Sequence, residues 1–318
     1  MNKWAGSALV MIGVGIIGVL MSFRGEQLLT FGTEPVLQEK TLSVPSDVKE
    51  LQLALEEMDV KVVRTNSAEV KLRLEGRASK QYVDKFKLDA HIQGDKLVVS
   101  GANTKKFSIG VNIMDVDLTV SLPSNVWNSI DIGSDSGNIE AADLEGSSLD
   151  IRAGSGNIRG DGLHANKMSY YSGSGNLRLS GVTGETAMVK LGSGNVVMND
   201  YRLEQLEYKL SSGNVTLRDG SGSVSGRLGS GNVNIYTDRI DHLMRLYAGS
   251  GNISVYTDQK PEGLQVKFKT GSGNRSIQWE GFSYEDKDGE GAIGSFAGSG
   301  SGVLEVQTGS GNFKLGQK

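Results

Sequence analysis

Apolar and polar residues alternate in the second half of this chain, and the alternation restarts at a fixed interval. Ile130 and Ile132, Leu149 and Ile151, Met168 and Tyr170, Ala187 and Val189, and Leu206 and Tyr208 are apolar pairs separated by one residue. Each pair stands just before a glycine-rich tetrapeptide. After the tetrapeptide comes a second pair, such as Ile139 and Ala141, Leu177 and Leu179, Val196 and Met198, or Val215 and Leu217. A period of two is the mark of a strand with one buried face. Two such strands with a corner between them leave no room for a helical stripe in each unit.

The corner is S-G-N, usually G-S-G-N. It ends at Asn138, Asn157, Asn176, Asn195, Asn214, Asn232, Asn252, Asn274 and Asn312, with intervals of 19, 19, 19, 19, 18, 20, 22 and 38 residues. A period near 20 residues predicts a solenoid whose coils stack in parallel, about 4.8 Å apart. The last interval counts as two periods with one degraded turn. The turns expected to define the corner are Gly156 and Asn157, Gly175 and Asn176, Gly194 and Asn195, and Gly213 and Asn214. Positive φ at the corner suits glycine. Stacked Ser and Asn side chains are expected to hydrogen-bond along the axis. The predicted fold is all-β, a parallel β-solenoid over residues 131–318 with a C-terminal cap.

A solenoid end templates aggregation unless it is covered. Residues 36–130 are strand-rich but lack the motif, and are expected to form the N-terminal cap. Trp4 to Phe23 carries no charge, and Lys3 and Arg24 bracket it. As a helix it spans the roughly 30 Å hydrocarbon layer. Residues 1–24 therefore predict a single transmembrane anchor, with 25–35 a tether and the solenoid outside the cytoplasm. The competing reading is a cleaved signal peptide, although Met-Ser-Phe-Arg makes a poor cleavage site. The absence of cysteine removes disulfides, thiolate metal sites and a cysteine nucleophile. A net charge of −4 gives no reason to expect a nucleic-acid partner.

The G-S-G-N units, the Pro-containing "LTVSLPS" strand before them and the one N-terminal apolar segment resemble the LiaG-like putative adhesins. The resemblance covers roughly residues 40 to 318. It implies a membrane-anchored, envelope-associated bacterial protein and supplies no catalytic residues. The function this suggests is a non-enzymatic binding or scaffold module. The alternatives are an accessory subunit of an envelope-stress response, acting by protein contacts, and a degenerate polysaccharide-active enzyme.

Candidate chemistry is sparse. A strand, not a helix, follows each glycine loop, so the phosphate-cradling arrangement is missing. The loops have asparagine where calcium-binding repeats have aspartate. Asp238 and Asp258 fall at one register, but on an expected solvated turn. His91, His164 and His242 share no register, which argues against a metal site. No cofactor is expected. The residue three before each motif serine is different. From the Asn157 unit onward it is Arg152, Tyr171, Lys190, Lys209, Arg227, Tyr247 and Lys269, all basic or tyrosine. Stacked, these would form a ladder suited to an anionic envelope polymer or anionic lipid headgroups. The plainer reading is a solvated strand face whose charges keep sheets from pairing edge to edge, with Asp150 and Glu207 partly neutralising it.

Overall fold

The computed structural model describes residues 32–318 except 81, 84–85, 104–113, 125–126 and 288–290. The expected anchor, residues 1–24, and residues 25–31 of the tether lie outside the described residues. Among the described residues no helix is long and apolar enough to cross a membrane, and regular structure consists of strands.

Each coil is named below by its motif asparagine. The strand before the corner pairs in parallel with its counterpart in the next coil. Ile132, Ile151, Tyr170, Val189, Tyr208, Gly226 and Leu246 thus follow one another in a single column. After the corner, Ile139, Ile158, Leu177, Val196, Val215, Val233 and Ile253 do the same. Apart from Gly226, the residues of both columns are among the buried core. The alternating pattern is thus the inside and outside of two stacked sheets.

Each Asn side chain except that of Asn274, the last rung, accepts from the coil stacked on it. Asn157 donates its backbone N–H and its Nδ2 to Asn138 Oδ1, each at 3.0 Å. The same pair of bonds recurs through Asn176, Asn195, Asn214, Asn232, Asn252 and Asn312. At the foot of the ladder only acceptors are required, and Asp59 stands there. Its Oδ1 accepts from Asn138 N–H at 2.7 Å and its Oδ2 from Asn138 Nδ2 at 2.9 Å. Asn195→Ala removes one donated and two accepted bonds. At roughly 0.5–1.5 kcal/mol net per bond, partly screened by water, a loss of about 1–3 kcal/mol is expected in urea unfolding. Asn195→Asp keeps the two accepted bonds but sets a carboxylate oxygen against Asn176 Oδ1, so it should lose at least as much.

The corner glycines differ in their reason from expectation. Gly194 and Gly213 have positive φ, 141° and 135°. Gly156 and Gly175 are not among the positive-φ residues, so the left-handed explanation does not hold for them. All four instead lie against the glycine carbonyl of the preceding coil, where an added Cβ would overlap the oxygen. Backbone-to-backbone stacking is what demands glycine here. The left-handed corner lies five residues beyond the asparagine, at Asp143, Gly162, Gly181, Asp200 and Asp219, with φ of 54°, 59°, 63°, 47° and 51°.

Both ends depart from chain order. Strands Glu50–Leu55 and Asp59–Thr65, inside the region expected as a cap, form a coil that pairs directly with the Asn138 coil. On its other side lie Lys96–Asn103 and Met114–Pro123. Antiparallel strands Phe86–Gln93, Glu69–Ser79 and Thr33–Ser43 then close that end. At the far end the 38-residue interval is not a degraded coil. Phe282–Lys287 and Gly291–Phe296 form an antiparallel hairpin beside Gln265–Ser272. The chain then returns, and Val303–Ser310 pairs on one side with Leu243–Ser250 and on the other with Gln265–Ser272. The Asn312 coil therefore lies between the Asn252 and Asn274 coils. Arg275, at the top of an aliphatic column, packs its guanidinium 5.0 Å from the Phe268 ring centre and donates to Gly291 O at 2.9 Å.

Candidate functional site

The outward side of the strand before the corner carries the predicted ladder. Arg152, Tyr171, Lys190, Lys209, Arg227 and Tyr247 occupy six successive strands in register, and all six are exposed. Lys269 is also exposed but does not neighbour Tyr247. Gln307 of the inserted coil stands between them, because the hairpin lets the final coil slot back into the stack. In the other direction the row continues with Gly133, Ala54 and Ser100. The turn residues Gly156, Asn157, Gly175, Asn176, Gly194, Asn195, Gly213 and Asn214 hold the register from the corner and contribute no side chain to this face.

Two positions toward the N-terminus on the same face lies a parallel row: Asp131, Asp150, Ser169, Met188, Glu207, Ser225, Arg245, Glu305 and Lys267. Its acids neutralise Arg152 at one end of the ladder and cations of their own row at the other. Arg152 pairs with Asp131 at 3.2 Å and Asp150 at 2.8 Å. Burial holds the Asp150 carboxyl above the ordinary carboxylate range, and the Arg152 charge only partly opposes it. Glu305 pairs with Arg245 at 2.7 Å and Lys267 at 3.9 Å. Between these clusters Lys190, Lys209 and Arg227 make no ion pair among the described residues. Adjacent like charges with no partner are a cost in the free protein that an anionic ligand would relieve.

Apolar side chains join the same face. Of seven large apolar side chains exposed among the described residues, Tyr171, Met188, Leu243, Tyr247 and Ile293 lie on this face. Shallow depressions flank the central lysines. One, of about 540 Å³, has Ala54, Ser100, Gly133, Arg152 and Tyr171 in its lining. The other, of about 740 Å³, involves Arg227, Arg245, Tyr247, Lys267, Lys269 and Ile293. The second could not be found from the repeat, since Ile293 belongs to the non-repeating hairpin.

Three of the other candidates, Asp258, His91 and His242, have structural occupations. Asp258 accepts from Lys318 Nζ at 3.4 Å, and the same ammonium binds Asp219 at 2.8 Å, so this acid belongs to a clamp across coils. His91 pairs with Asp89, and His242 with its neighbour Asp241. On the opposite sheet Tyr236 and Tyr256 stack with centroids 5.1 Å apart. Arg218 and Lys314 cover those rings, at 5.2 and 5.1 Å, which closes them to a ligand.

Comparison with curated proteins finds no match. Among solved structures, a "putative adhesin" from Parabacteroides distasonis ATCC 8503 is 11% identical, with a TM-score of 0.48, covering 88% of this chain and 96% of its own. A "putative adhesin" from Bacteroides fragilis NCTC 9343 is 14% identical, with a TM-score of 0.42 and the same coverage. A "putative lipid binding protein" from Parabacteroides distasonis ATCC 8503 is 17% identical, with a TM-score of 0.40 and again the same coverage. Residues 48–316 match the Toastrack DUF4097 family over nearly the whole stack, and the chain belongs to that family.

Proposed function

We propose that the protein is a non-enzymatic, LiaG-like binding module of the bacterial envelope, tethered to the membrane through residues 4–23, whose ladder face holds an anionic wall polymer. The observation that carries this reading is the run Lys190–Lys209–Arg227, three exposed cations on successive strands without an ion-pair partner among the described residues. Charges repeating about every 4.8 Å along one line suit a linear polyanion. A membrane surface is the less fitting partner. Tyr171, Met188, Leu243, Tyr247 and Ile293 are interleaved with Lys190, Arg245 and Lys267 on a strand face and do not make the unbroken apolar stripe that inserts into lipid.

The test is retention on immobilised wall polymer and on anionic liposomes, comparing the natural protein with the Lys190→Ala, Lys209→Ala, Arg227→Ala triple variant. The variant should lose about tenfold in polymer affinity, and the natural protein's binding should weaken as salt rises. Equal retention of both proteins on polymer contradicts the reading, and so does retention on liposomes alone.

A further inference from the structure

The groove at the C-terminal end of the ladder face differs chemically from the lysine run beside it. Its floor is a two-row grid fixed by strand pairing. One row reads Arg227, Tyr247, Gln307, Lys269 and Gly291. The other reads Ser225, Arg245, Glu305, Lys267 and Ile293. Neighbours along a row are about 4.8 Å apart, and residues two apart along one strand about 6.6 Å. Tyr247 is 39% exposed, so part of its ring faces solvent. Beside it are one carboxamide, Gln307, and the carboxylate of Glu305, which Arg245 and Lys267 hold in place from its two flanks; a second carboxylate, Asp286, lines the groove from the hairpin. The volume, about 740 Å³, falls in the range of small-molecule sites, about 300–1,000 Å³.

Simple phosphate recognition needs only the cations. An aromatic face flanked by an amide and a fixed carboxylate adds what a polyhydroxylated ring requires: an apolar surface for its C–H groups and both donors and acceptors for its hydroxyls. Arg227 lies at one side of that centre, exposed and with no ion pair among the described residues, ready for an acidic substituent. We infer that this groove is a subsite for an acidic sugar unit, with Tyr247 as the platform, Gln307 and Glu305 toward the hydroxyls and Arg227 toward the acid group. The inference rests on the ladder reading for its polymer but specifies that the polymer carries saccharide.

The test uses two probes on the full chain. A galacturonic acid trimer should bind measurably in titration, and its dependence on Tyr247 or on the lysine pair separates the groove from the ladder. Tyr247→Ala should weaken it at least tenfold, whereas Lys190→Ala/Lys209→Ala should leave it within twofold. Inorganic polyphosphate, which has no sugar, should show the reverse dependence. Tyr247 is exposed, so its loss should leave the thermal transition in place. Failure of the trimer to bind, or binding that ignores Tyr247→Ala, overturns the subsite. Polyphosphate binding that ignores the lysine pair counts against the ladder instead.

Discussion

Gly213→Val is expected to destabilise the stack by about 2–6 kcal/mol, read from the shift of the urea midpoint. Two costs combine. The residue has a φ of 135°, where a β-branched side chain carries about 1–3 kcal/mol of strain. Its new Cβ would also overlap the Gly194 carbonyl in the preceding coil, and overpacking commonly costs about 1–3 kcal/mol, occasionally more. Backbone cannot yield as a flexible side chain can, because that carbonyl belongs to a coil held by its own ladder bonds. Ser211→Ala, two residues away and exposed, should change stability by less than about 0.5 kcal/mol. The chain itself contains this contrast. The second glycine of the corner is present in all nine motifs, while the first is replaced by Asp135 and Ser211.

The second large effect concerns Tyr208 and Gly226. They are paired neighbours in one inward column, and the Tyr208 ring fills the space a side chain at 226 would occupy. Tyr208 is fully buried, its hydroxyl has no hydrogen-bond partner among the described residues, and burial drives its ionisation far upward. Tyr208→Ala should cost about 3–5 kcal/mol through the cavity it leaves. Gly226→Val should cost about 1–3 kcal/mol or more by driving a branched side chain into the ring. Together, Tyr208→Ala and Gly226→Val should be less damaging than the sum of the two single changes by at least about 1 kcal/mol, because the valine fills the volume the tyrosine vacates. Additive costs would mean that the two residues do not share a layer.

These pairs show how far the sequence carried. Alternation and the asparagine spacing were enough to place Ile132, Ile151, Tyr170, Val189 and Tyr208 in one column, because a period-two strand repeated every 19 residues has few other ways to bury its apolar face. The ladder positions from Arg152 to Tyr247 followed from the same register. The second corner was harder to see. Asp143, Gly162, Gly181, Asp200 and Asp219 share a backbone conformation but not a side-chain chemistry, and aspartate and glycine tolerate the left-handed region for different reasons. The position of the Asn312 coil was not legible. Near-identical coils present near-identical edges, so the sequence of a coil does not state which edge it joins. Chain order put Lys269 beside Tyr247, and only the hairpin at Phe282–Lys287 and Gly291–Phe296 explains why Gln307 takes that place. The groove depends on that exchange, since Gln307 and Glu305 both come from the inserted coil.

Disulfide trapping tests the stacking order most directly, and the chain has no native cysteine to interfere. Adjacent in-register positions fall within the Cα separation of about 4.4–6.8 Å that a disulfide accepts, while positions two strands apart, about 9.6 Å, do not. On mild oxidation Tyr247→Cys/Gln307→Cys and Gln307→Cys/Lys269→Cys should each close an intramolecular bridge, and Tyr247→Cys/Lys269→Cys should remain reduced. A bridge between positions 247 and 269, with none to 307, would contradict the inserted coil and the groove built on it.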